Sequence, residues 1–127
     1  MAQLRTAFVS LAVVLASCTS PTATYDDVAP LPRDEQLAAF ASASPTEKAA
    51  IYRGHFERLA AREGVTAEQR AALLRSAALV SPDWYDLAPS APGWAERVQA
   101  PRDEMERITR AAFGERASRI TMAIGPE

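Results

Sequence analysis

Apolar residues lie along this 127-residue chain in two different patterns. From Ala7 to Ala16 they are nearly continuous, whereas after Arg33 they recur at steps of three and four among polar neighbours. The second pattern belongs to amphipathic helices, whose buried stripe returns about every 3.6 residues. Arg33 to Ala41 carries Leu37, Ala38 and Phe40 among good helix formers and predicts a short first helix. Ser44-Pro45-Thr46-Glu47 is a stronger start: a serine cap, proline at the first helical position and a glutamate three residues after the cap. The helix it opens should run to about Glu63 and end at Gly64, burying Ala49, Tyr52, Phe56, Leu59 and Ala60. Gly54 inside it costs about 1 kcal/mol relative to alanine, which points to a close packing contact. Thr66 and Gln69 form a second capping box, ahead of a helix to Leu79 or Val80 that buries Leu73, Leu74, Ala77 and Val80. Ser81-Pro82-Asp83 starts a short helix through Leu87, and Pro89, Pro92 and Gly93 mark the loop beyond it. In the last third Trp94, Val98, Pro101, Met105, Ile108 and Ala112 alternate steps of four and three, a seam with a proline at its centre. Pro101 predicts either a kink or a fresh helix start. After Gly114, a terminal helix from Glu115 carries Ala117, Ile120 and Ile124, with Gly125-Pro126 closing it. The fold class is therefore all-α, a small bundle of four to six short helices after a signal peptide and a flexible linker.

The continuous run is too short to span a bilayer, and with Arg5 in front of it the layout is that of a secretory signal peptide. Its end, Leu15-Ala16-Ser17-Cys18, resembles the lipobox of bacterial lipoproteins. That resemblance implies a diacylglyceryl group on the Cys18 thiol, cleavage just before it, and acylation of the new amino terminus. Several acyl chains hold a protein in a membrane permanently, since each buried methylene contributes about 0.8 kcal/mol and one chain alone binds only reversibly. The expected partner is thus the membrane itself, through lipid on Cys18, with the domain outside the cytoplasm. Thr19 after the cysteine, in place of aspartate, directs the expectation to the outer membrane, periplasm-facing or at the cell surface. Residues 1–17 are then the signal peptide, 18–32 a lipidated cysteine and Pro/Thr-rich linker, and 33–127 the helical domain. With three prolines and little apolar content, Thr19 to Pro32 reads as an extended tether with a reach of roughly 40 Å.

Composition narrows the function classes. Loss of residues 1–17 removes Arg5 and leaves a formal charge of −3, which gives no whole-molecule attraction for nucleic acid or anionic lipid. Cys18 is the only cysteine, so the chain has no intrachain disulfide and no cysteine metal cluster, and the domain folds on its apolar core alone.

Candidate chemistry is sparse. His55, the only histidine, lacks an identifiable nucleophile or acid–base partner and reads as structural. Asp26-Asp27 falls short of the six to eight oxygens that calcium takes and reads as a solvated turn. Asp103–Arg107, Glu106–Arg110 and Glu115–Arg119 are i,i+4 pairs on a solvated face. Trp84 and Tyr85 stand out, because adjacent helical residues point about 100° apart and one core hardly buries both rings. One ring should plug the core while the other, partly exposed, is the candidate partner contact. The expectation is a non-enzymatic domain that needs no cofactor or metal and binds an envelope protein or other envelope component.

Thr66-Ala67-Glu68-Gln69-Arg70 through Leu79-Val80-Ser81-Pro82-Asp83-Trp84-Tyr85 resembles a segment of exported proteins termed bacteriocin fulvocin C-related, as does the Ala111-Ala112-Phe113-Gly114 turn. The resemblance covers roughly Glu47 to Gly125 and implies an antibacterial or accessory association without naming a catalytic residue. Fulvocin C-like chains continue into a cysteine-rich tail, whereas this sequence reads only to Glu127 without one, which counts against toxin activity of its own.

Overall fold

A computed structural model describes residues 23–122, and every regular element among them is helical. These are α1 (Tyr25–Val28), α2 (Arg33–Ser42), α3 (Pro45–Ala60), α4 (Ala67–Leu79), α5 (Asp83–Asp86), a π-helical turn (Ala95–Gln99), α6 (Ala100–Phe113), a 3-10 turn (Gly114–Arg116) and α7 (Ala117–Met122). The five helices of six or more residues fall within the expected four to six.

Both capping boxes form. The Ser44 hydroxyl accepts the Glu47 N–H at 3.2 Å while the Glu47 carboxylate accepts the Ser44 N–H at 3.1 Å. Thr66 and Gln69 exchange the same pair of bonds, each at 3.1 Å. Orphan donors at the two helix starts are thereby satisfied within one turn of chain. Arg70 on α4 reaches back to donate to the Ala60 carbonyl at 2.9 Å, which serves the C-terminal end of α3.

The short connection after α3 folds α4 back as a helical hairpin, and α4 packs on α3 and on α6. Phe56, Leu59, Leu73, Ala77, Val80, Trp84, Val98, Met105 and Ile120 make up most of the core between them. α7 closes it by two polar contacts to α3. Tyr52 donates its hydroxyl proton to the Thr121 carbonyl, and His55 Nε2 lies 2.6 Å from the Ile120 carbonyl. Since a carbonyl oxygen only accepts, this ring nitrogen carries the proton. His55 is fully buried among Tyr25, Tyr52 and Phe56, with ring centroids 5.3–6.3 Å away. A histidine held this way is a structural fastener.

Two details depart from the sequence pattern. Ile51 and His55 join the buried stripe of α3, whereas Tyr52 is only half-buried. On α4 the buried face continues through the small Ala72 and Ser76, and this turns Leu74 outward, where it is 48% exposed. Pro101 stands in the first turn of α6, the fresh start expected there, and α6 runs on directly from the π-turn. Proline offers no N–H to the Arg97 carbonyl four residues back, and the chain widens just ahead of it into a π-turn, where the Ala100 N–H reaches the Ala95 carbonyl. Val98, Met105 and Ile108 stay buried across this turn, so the seam is continuous.

The largest correction concerns the stretch expected to be an extended linker to Pro32. Residues 23–31 are part of the folded domain. Thr24 caps α1 with help from Asp27, whose carboxylate accepts the Thr24 N–H at 2.9 Å. Tyr25 and Val28 lie three apart on one face of this turn, and they are 8% and 2% exposed. Their seat is α3, where Gly54 makes room: a Cβ there would stand 2.5 Å from the Tyr25 Cβ. Asp26 pairs with Arg58, whose guanidinium lies 5.9 Å from the centre of the Tyr25 ring. The Ala23 N–H donates to Glu47 at 2.8 Å, and Gln36 on α2 donates to the Ala29 carbonyl at 2.8 Å. A two-residue apolar stripe among prolines leaves almost no periodic signal, yet it is enough to dock a turn onto a glycine. Tyr25 supplies the close contact that a glycine inside α3 points to.

Candidate binding groove

Ser81 and Pro82 turn the chain from α4 into α5, with the Ser81 hydroxyl accepting the Asp83 N–H at 3.2 Å. The two aromatic residues that follow then diverge. Trp84 is 7% exposed and belongs to the core, whereas Tyr85 is half-buried. The indole Nε1 of Trp84 is buried and meets no hydrogen-bond partner among the described residues. Arg102, from the first turn of α6, holds its guanidinium 5.6 Å from the centre of the Trp84 ring. On the opposite side Phe40 of α2 meets Tyr85 edge to face at 5.6 Å.

These contacts outline a groove of about 470 Å³. Tyr52, Trp84 and Tyr85 line it together with Leu37 and Phe40 from α2, Met105 from α6 and Met122 from α7. Leu37 is 53% exposed and Met122 76%. They are two of the three large apolar side chains left exposed among the described residues, and both line this groove. Arg33, Arg102, Arg110 and Glu106 supply its charge. Glu106 is committed to Arg110 at 3.0 Å, which leaves Arg33 and Arg102 as the further charges among the lining side chains.

Burial controls the two phenols. It pushes Tyr85 up to about 12, with Arg102 pulling weakly the other way, and it raises Tyr52 further still. Both hydroxyls are therefore protonated at neutral pH. The Tyr52 hydroxyl is engaged with Thr121 and lies 3.9 Å from Met105 Sδ, so it fixes α7 and not a substrate.

The other candidates from the sequence sit apart from this groove. Asp27 caps α1, and Asp26 faces Arg58. Glu106–Arg110 pairs as expected, but Arg107 chooses Glu104 over Asp103, its Nε donating to the Glu104 carboxylate at 2.9 Å. That contact holds the Glu104 carboxyl below its ordinary value, and Arg75 of α4 adds a link at 3.5 Å. Cys18 and Ile124 lie outside the described residues. Among the described residues no group of three or more His, Cys, Asp or Glu side chains is arranged to hold a metal ion, and no helix is long and apolar enough to cross a membrane.

No protein-family model, characterised protein or solved structure matches this chain. The groove has to be interpreted from its own chemistry. It offers apolar and aromatic walls and cationic side chains, which is the equipment for binding, while the single histidine is fully buried and is not among the lining residues. The pattern of capped helices gave no sign of the Leu37–Phe40 wall or of Arg102, because a groove between α2 and α6 joins residues some sixty positions apart. Only the Trp84-Tyr85 pair carried a local signal.

Proposed function

We propose that this chain is an exported lipoprotein, held in a bacterial membrane by lipid on Cys18, whose helical domain is a non-enzymatic binding or structural module of the cell envelope. The observation that carries the reading is Leu15-Ala16-Ser17-Cys18 at the end of the Ala7–Ala16 apolar run. The groove beside Trp84 and Tyr85 supports the binding half of it. Docking of residues 23–31 changes the geometry of the anchor. Only five residue steps separate Cys18 from Ala23, at most about 18 Å of chain. On this reading the domain rides close to the headgroups, not on a long tether.

The test is Cys18→Ser, expected to abolish labelling by a fatty-acid probe and to move the protein out of the membrane fraction or leave it unprocessed. Persistent labelling of the variant sinks the lipoprotein reading.

A second reading, that of a bacteriocin fulvocin C-related product or accessory factor, rests on the Ser81-Pro82-Asp83-Trp84-Tyr85 turn at the head of the groove. Inhibition of a neighbouring strain by the supplied protein separates it from the first.

A further inference from the structure

We propose that the groove between α2 and α6 is a site for a single-chain anionic amphiphile, in its simplest form a long-chain carboxylate, with the chain along the apolar and aromatic walls and the headgroup at Arg33 and Arg102. The proposal rests on the reading of this domain as a binding module and adds the class of ligand.

Size comes first. About 470 Å³ lies within the usual range for small-molecule sites, roughly 300–1,000 Å³. A single flexible chain is of the size such a groove takes.

Polarity fixes the ligand's body. Leu37 and Met122 stand open to solvent at the groove while Tyr52, Trp84 and Met105 line it, so an apolar chain removes surface from water on both sides. Charge fixes its head. Among the described residues neither Arg33 nor Arg102 is paired with a carboxylate, in contrast to Arg110, which holds Glu106. Arg33 makes only a 3.5 Å contact to the Gln36 side chain, and Arg102 rests against the Trp84 ring. A guanidinium placed so has its N–H donors available for a carboxylate, which it binds through two parallel bonds.

The experiment titrates the full chain with dodecanoate below its micellar concentration and reads tryptophan fluorescence, with dodecyltrimethylammonium as the opposite-charge control. Dodecanoate should bind saturably, and the cationic amphiphile at least tenfold more weakly. Arg33→Gln with Arg102→Gln should weaken dodecanoate at least tenfold. Arg33→Gln alone, at an exposed position that carries no part of the core, should weaken it about threefold and keeps the test valid if the double variant unfolds. Equal affinity for both headgroup charges, unchanged affinity in Arg33→Gln, or no saturable binding overturns the proposal. Each of these outcomes is independent of Cys18 labelling, so the ligand and the anchor stand or fall separately.

Discussion

Gly54→Ala tests the docking of the first turn by the sign of its effect. In an exposed helix interior, alanine for glycine stabilises by about 1 kcal/mol. Here the new methyl would lie 2.5 Å from the Tyr25 Cβ and 3.1 Å from its Cγ. A Cβ cannot swing aside by a rotamer change, so either α1 shifts bodily or it leaves α3. Overpacking of this kind costs about 1–3 kcal/mol where the neighbour stays. Undocking instead exposes Tyr25 and Val28, and fully exposing a buried Val-sized side chain alone costs about 1.5–3 kcal/mol. The smaller of the two penalties governs the outcome, and after the helix gain it leaves a net loss of up to about 2 kcal/mol. For a domain of this size each kcal/mol corresponds to about 4–8 °C in thermal midpoint. Urea unfolding followed by circular dichroism should show the loss, with Gly54→Ala less stable than the parent. In a Tyr25→Gly background the opposing Cβ is gone, and the same substitution should turn neutral or stabilising. Stabilisation of the parent by Gly54→Ala would refute the docking of α1 and restore a long extended linker.

Trp84→Ala should cost about 3–5 kcal/mol and threaten folding, while Tyr85→Ala, which removes a half-buried ring and its contact with Phe40, should cost clearly less and weaken groove binding; equal unfolding by both makes the turn a core plug alone. Alkaline pH should destabilise the domain, because burial raises Tyr85 to about 12 and Tyr52 also lies above the ordinary value of 10.0. The protonated phenols are favoured in the folded state, so their contribution is whole below pH 10 and falls away as the pH rises through about 12. Urea midpoints measured from pH 8 upward should decline beyond 10, and the decline should shrink in Tyr52→Phe; a flat profile contradicts the burial of these hydroxyls.

What the sequence discloses here is local. Ser44 with Glu47 and Thr66 with Gln69 announce helix starts because both partners of each cap lie within one turn. The divergence of Trp84 and Tyr85 follows from helix geometry alone. The order of the elements was legible for the same reason. The docking of α1 was not, since Tyr25 and Val28 gain their meaning only from a glycine some thirty residues later. The spacing on α4 fits Leu74 to the core as well as Ala72, and the choice between them depends on which neighbours α4 meets. Pro101 broke the backbone pattern as any helix proline does, yet the π-turn ahead of it absorbed the break. The groove is the least legible feature, being the space left between elements and not a property of any one.

The way α1 is fastened also sets how the domain meets mechanical load. A pull on the chain upstream of Ala23 enters through the Ala23–Glu47 bond and the wedge of Tyr25 against Gly54, both on α3. α3 is the helix to which α4 and the polar contacts of α7 are joined, so the load passes into the best-supported part of the bundle. α2 comes after α1 in the chain and is tied to its end by the Gln36–Ala29 hydrogen bond. The wall that carries Leu37 and Phe40 thus lies beyond the point where such a load enters the fold.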